Sequence, residues 1–196
     1  MILPGQKVAD GKVSIPHTFV EGEATYAALI GVLDEEGRYL PIEARYQAQL
    51  DDAVVGFVLD VRHAGYEVDI NLSFSAFVQA RDLRVHLEIG SVVMARIKEV
   101  EGSYIDLMEV RKLPRGKLID FPPAKVPRLI GRKSSMINMI QEKTGGEIIV
   151  GNNGYIWISE NCDIPKVLKA INLITEKAHQ SGLTDEVAAL LQEESK

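Results

Sequence analysis

The sequence predicts a multi-domain α+β protein, and three observations carry that reading. The first fifty residues are short apolar runs broken by turn residues, and the next sixty repeat a strand–turn–strand plan. From residue 113 the pattern changes to helices mixed with strands, in the order strand, helix, helix, strand, strand, helix, with one extra helix at the end. The expected division is a small β module over 1–53, a small closed β-barrel over 54–112, and a mixed unit over 113–196. At 196 residues the chain has room for two or three such modules, each marginal alone and each gaining from docking on its neighbours.

Composition narrows the function classes. With 46% hydrophobic and 26% charged residues, the chain is neither disordered nor membrane-embedded. No apolar run approaches the roughly 18 residues of a membrane span, and no secretory leader is visible, so a cytoplasmic protein is expected. The single cysteine, Cys162, excludes an internal disulfide and a multi-cysteine zinc site and reads as a buried thiol. Net charge is −6, but its distribution is uneven. Residues 1–110 hold nine cations and 18 acids, whereas residues 111–133 hold eight cations against Asp120 alone. Such a patch holds phosphates by releasing counterions, or else is a solvated linker.

In the first module, Pro4-Gly5 makes a turn, "ATYAALIGVL" is an apolar strand-like run, and "DEEGRYLPIEA" is an acidic turn leading into a further strand. Glu35 and Glu36 flank that turn as solvated residues. In the second, "VVGFVLDVRHAGYEVDINL" reads as two strands around a turn centred on Ala64-Gly65. "GSVVMARIKEVEGSYIDLMEV" repeats the plan around Glu101-Gly102-Ser103. Alternation puts Val93, Ala95 and Ile97 on one face of a strand and Met94, Arg96 and Lys98 on the other. The second face is either the ordinary wet side of a barrel strand or a cationic surface for RNA.

In the third unit "VPRLI" is a short helical turn with Pro127 near its start. After the basic knuckle "GRKSS", Met136, Ile137, Met139 and Ile140 form a helical stripe ended by Gly145-Gly146. Ser134 or Ser135 is the candidate cap of that helix. "EIIVGNNGYIWIS" is a hairpin whose Asn and Gly residues supply positive backbone angles. "DIPKVLKAINLITEKAHQ" is a helix capped by Asp163, with Pro165 in its first turn and apolar residues at 164, 167, 168, 171 and 174.

Two resemblances follow from these residues. "GFVLDV", "GYEVDI", "SAFV" and "GSVVMARIKEV", in that order, resemble the S1 type of OB-fold RNA-binding domain. Where family members carry stacking aromatics this chain has Ala64 and Glu67, which leaves Tyr66 and His63 as the stacking candidates and implies weak binding by the isolated barrel. The order of elements after residue 113, with Gly131-Arg132-Lys133-Ser134 joining two helices, resembles a type I KH domain (βααββα). That family clamps the nucleic-acid backbone with a Gly-x-x-Gly loop, and here the fourth position is serine.

Together, "VPRLIGRKSSMI", "VGNNGYIWIS" and "GLTDEVAALL" resemble the S1–KH RNA-binding cap subunit of the archaeal exosome, over essentially the whole chain. The resemblance implies that Gly151, Asn153, Gly154 and Trp157 pack the KH domain on the S1 domain and are architectural. It further implies a non-catalytic subunit, three copies of which cap a phosphorolytic ring of RNase PH-like subunits, mixed or not with a zinc-ribbon cap subunit. Such caps increase RNA binding and favour poly(A)-rich 3′ ends. The residues themselves agree that no enzyme is expected. His17, His63, His86 and His179 lie in unrelated surroundings, and no nucleophile–base set, phosphate loop or metal-spaced carboxylate cluster is present. No cofactor and no metal are expected. RNA contacts are expected at Arg62, Arg96 and Lys98 in the barrel and at Arg132 and Lys133 in the knuckle. Two other readings stay open: a free-standing S1/KH regulator or translation-associated factor, and an appendage of a phosphorolytic exonuclease, for whose catalytic domain the chain is too short.

Overall fold

The computed structural model describes all residues except 14, 16, 34–36, 38, 43, 84, 179–181 and 194–196. Glu35, Glu36 and His179 therefore lie outside the described residues. Among those described, no helix is long and apolar enough to cross a membrane.

The chain begins with a three-stranded antiparallel sheet in the order β1-β3-β2, made of β1 (Lys7–Asp10), β2 (Thr18–Glu21) and β3 (Ala24–Ala27). The buried Thr25 hydroxyl pins the β1–β2 connection by donating to the Gly11 carbonyl at 2.9 Å. The run "ATYAALIGVL" is not one strand. It ends at Ala27 and resumes as β4 (Gly31–Leu33), because Gly31 pairs with Ile2 and β4 pairs with β5 (Tyr39–Pro41).

Five strands then close into a barrel: β6 (Ala53–Arg62), β7 (Gly65–Asp69), β8 (Ala76–Gln79), β9 (Val92–Glu101) and β10 (Tyr104–Lys112). Around the barrel the order is β10-β8-β7-β6-β9, and β8 and β10 run parallel while every other pair is antiparallel. This is the five-stranded Greek-key barrel of an OB fold. Val93, Ala95 and Ile97 point into its core with Val68, Val78, Ile105 and Leu107, while Arg96 and Lys98 point out, as strand alternation requires. The first hairpin turns at His63-Ala64, one residue earlier than expected, because Gly65 already pairs with Arg62 as the first residue of β7. Gly65 is needed for space and not for a turn: a Cβ there would lie 2.0 Å from the Val78 carbonyl oxygen and 2.7 Å from the Phe77 ring.

The last unit is β11 (Gly116–Asp120), α1 (Val126–Ile130), α2 (Ser135–Thr144), β12 (Ile148–Val150), β13 (Tyr155–Ser159), α3 (Ile164–Lys177) and α4 (Leu183–Glu193). Its antiparallel sheet has the order β11-β13-β12. Both faces of β13 are covered. Ile156 and Ile158 join the helix-side core with Leu129, Ile140, Val167 and Ile174, whereas Trp157 turns to the barrel with Val55, Leu113 and Ile149. The Asp163 carboxylate accepts from the Lys166 N–H at 3.3 Å and caps α3. Cys162 is a buried thiol, pushed above its ordinary pKa by burial.

Candidate nucleic-acid interface

Most of the residues that the sequence singles out fall in two regions. The first is the seam between the β12–β13 hairpin and the barrel. Asn153, with no exposed surface, reaches across it: its Nδ2 donates to the carbonyls of Val55 (2.7 Å) and Ile70 (2.9 Å), and its Oδ1 accepts from the Val55 N–H at 3.2 Å. Gly151 makes room for this, since a Cβ there would lie 2.1 Å from Asn153 Oδ1 and 2.7 Å from Val55 N. Gly154 acts inside its own unit: it has φ 88° and abuts the Phe121 carbonyl. Neither Asn152 nor Asn153 has positive φ, contrary to the sequence-based expectation for this turn; their side chains bond across the seam instead.

Further bonds seal the seam. Asn152 Nδ2 donates to Asp52 at 2.7 Å, Asn71 Nδ2 donates to the Asn153 carbonyl at 2.9 Å, and the Tyr155 hydroxyl donates to Asp69 at 2.8 Å. Burial, reinforced by the hydrogen bond and charge of Asp69, pushes the Tyr155 phenol well above its ordinary value of 10.0. A raised folded-state pKa contributes stability that is complete below pH 10 and is lost as pH rises beyond it. Alkaline unfolding of the wild type is therefore expected to steepen above about pH 10. Tyr155→Phe should flatten that limb, as measured by chemical denaturation at pH 8 to 11.

The second region is the outer surface of the barrel. Glu67, Phe77, Asp106 and Lys98 lie across neighbouring strands: Phe77 is in register with Glu67 on one side and Asp106 on the other. The Arg62 guanidinium pairs with Glu67 at 2.7 Å and with Asp60 at 3.3 Å. On the other side the Lys98 ammonium lies 2.7 Å from Asp106 Oδ2, which also accepts from Gln79 Nε2 at 3.2 Å. The hydrogen bond and charge of Asp106 hold Lys98 above its ordinary pKa. Asp106 itself is 1% exposed, and its Oδ1 is buried with no partner among the described residues. Two aromatic residues share this surface. Phe77 is half-buried with its ring tip over Gly65, and Tyr104, two residues before Asp106, is 46% exposed.

The expected RNA-contact residues fall unevenly on this map. Arg62 and Lys98 bracket the Phe77 surface, and His63 is exposed at the adjoining turn. Arg96 stands one outward position from Lys98, 3.7 Å from Glu109. Tyr66 is a correction. Its ring lies inside the barrel with Val68 and Ile70, 6% exposed, and its hydroxyl lies 3.2 Å from His86 Nδ1. Strand parity places it inward, so it is not available for stacking in this structure. Phe77, Gln79, Asp106 and Tyr104 escaped the sequence-based reading. The available signal was alternation in "AFVQ" and "YIDL", which turns 77, 79, 104 and 106 outward.

Arg132 and Lys133 lie elsewhere, exposed on the loop between α1 and α2, and Arg132 borders a cleft of about 1090 Å³ facing the N-terminal strands. The loop departs from a helical connection. Gly131 has φ 74° and ψ 175°, and Lys133 and Ser134 both adopt the left-handed conformation at φ 49° and 62°. Ser134 occupies the position before α2 without making a side-chain cap, and Ser135 is the first helical residue, so neither serine is the expected N-cap. Ser134→Gly, which removes one left-handed Cβ, should raise stability by about 1 kcal/mol, measured by thermal unfolding. Two cations of the basic stretch 111–133 have partners in the last unit: Lys125 donates to the Thr175 carbonyl and Arg111 pairs with Glu147.

A family model described as a KH domain matches residues 116–162. Over 97% of its length the chain is 36% identical to the exosome complex component Rrp4 of Pyrococcus abyssi, covering 82% of that protein. It is 34% identical to the Rrp4 of Picrophilus torridus, again over 97% of the chain and 91% of that protein. A crystal structure assigned to an exosome complex RNA-binding protein superposes with a TM-score of 0.69 at 30% identity, over 78% of this chain and 98% of that one. An OB barrel locked to a KH unit, joined to this likeness along nearly the full chain, places the protein: it belongs to the Rrp4 family of exosome complex components.

Proposed function

We propose that this chain is a non-catalytic RNA-binding subunit that caps the phosphorolytic ring of the exosome in the cytoplasm, increases RNA binding and degradation, and favours poly(A)-rich 3′ ends. The observation that carries the reading is the OB barrel held on the KH sheet by the buried Asn153, with two aromatics and two ion-paired cations on its outer surface. Three units act in sequence: 1–53, 54–112 and 113–196. The first docks on RNase PH-like ring subunits, a role supported by the exposed apolar side chains Phe19, Val20, Leu33 and Ile42. Three copies per ring, alone or mixed with a zinc-ribbon cap, bring their barrels to the RNA path.

The acidic balance of residues 1–110, with 18 acids against nine cations, supports weak binding by the isolated chain and tight binding only within the assembly. The hairpin residues Gly151, Asn153, Gly154 and Trp157 act as architecture. Arg62, His63, Arg96 and Lys98, with Arg132 and Lys133 in the loop, meet the RNA. The test is reconstitution with ring subunits. Co-migration as one complex, with faster phosphate-dependent decay of a poly(A) tail than the bare ring achieves, is expected. A chain that migrates alone and binds RNA equally well without the ring would be a free-standing regulator, and the reading would fail.

A further inference from the structure

Asp106 is expensive for the barrel. A carboxylate in the wall between Ile105 and Leu107, 1% exposed and with Oδ1 unpaired among the described residues, opposes folding unless something else retains it. What it does hold is specific. Its Oδ2 receives both the Lys98 ammonium at 2.7 Å and the Gln79 amide at 3.2 Å. A carboxylate only accepts, so the Gln79 NH2 faces it, and the amide oxygen is the part of the group left to accept from elsewhere. Gln79 lies two residues from Phe77 on the same face of β8, and Phe77 is the register partner of Asp106.

From this juxtaposition we infer that Phe77 is the stacking platform for a base of the single strand, and that Asp106 is a positioning residue. Asp106 aims the Gln79 amide oxygen at the exocyclic amino group of that base while fixing Lys98 beside the backbone. Adenine and cytosine carry such an exocyclic donor, N6 and N4; at the equivalent position uracil has the carbonyl oxygen O4, which faces the amide oxygen unfavourably and leaves only the ring N3–H to donate. The subsite thus selects amino-bearing bases over uracil. The inference rests on the RNA-binding reading given above and names the part of the surface that performs it.

Binding of oligo(A) and oligo(U) to the full-length chain, reconstituted on ring subunits, tests it, with melting temperature and co-migration recorded for each variant. Phe77→Leu should weaken both oligonucleotides about tenfold, the loss of one stacked base. Gln79→Leu should bring the A-over-U ratio close to one with little change for oligo(U). Asp106→Leu should also abolish that ratio without lowering the melting temperature, because it removes a buried unpaired oxygen; Asp106→Asn, which still accepts from Gln79, should keep part of the ratio. A purely structural Asp106 would lower the melting temperature and leave the ratio intact. An unchanged ratio in Gln79→Leu, or unchanged affinity in Phe77→Leu, overturns the inference while wild-type RNA binding and co-migration still support the broader reading. Failure of the wild type to join the ring or bind RNA would overturn that reading instead.

Discussion

Asn153→Ala is expected to cost about 3 kcal/mol or more, since it strips two carbonyls and one N–H of a buried partner at once. For a chain of this length that corresponds to a fall of roughly 6–12 °C in melting temperature. Asn153→Asp keeps the shape yet should do at least as much damage, because a carboxylate has no hydrogen to give the carbonyls of Val55 and Ile70. Calorimetry should also resolve a second transition in both variants as the barrel and the KH unit uncouple. A single transition at the wild-type temperature would mean that the hairpin is not the lock between them.

Trp157→Ala should cost about 3–5 kcal/mol. The indole is 1% exposed and packs with Val55, Leu113 and Ile149, so its removal opens a cavity in the small core that both units share. Trp157→Phe should keep about half or more of that stability, because the indole N–H has no partner among the described residues to lose. Equilibrium denaturation of the two variants checks the ordering. Equal losses would point to an undetected bond of the indole N–H.

The contrast between these residues and the barrel surface shows what the sequence carries. "YIWIS" is legible as a strand from its aromatic and β-branched residues after the "GNNG" turn, whereas the covering of both its faces follows from docking on the barrel. The glycine and asparagine spacing of "GNNG" announces a special turn, although not that Asn153 would spend its side chain on Val55 and Ile70, 98 and 83 residues away. The pairing of Tyr155 with Asp69 likewise spans 86 residues and follows from docking, which local pattern does not encode. Tyr66, an aromatic beside a turn, looks exposed in the sequence, whereas its parity with Val68 and Ile70 sends it inward. Alternation turned Phe77 and Asp106 outward, yet whether an outward acid sits in water or under a lysine and a glutamine depends on neighbouring strands. In the basic loop, the serine at the fourth position signalled a departure from a glycine pair. Lys133 and Ser134 nevertheless both take left-handed angles, which a glycine would adopt at less cost than either side chain.

On the proposed reading, RNA runs over the outer surface of the barrel. Photo-cross-linking of a poly(A) tail to the reconstituted complex, read at peptide level, tests it most directly. Cross-links are expected in the peptides carrying Phe77 and Tyr104, lost or weakened in Phe77→Leu. Cross-links confined to the Gly131–Ser134 loop, with none on the barrel strands, would contradict it.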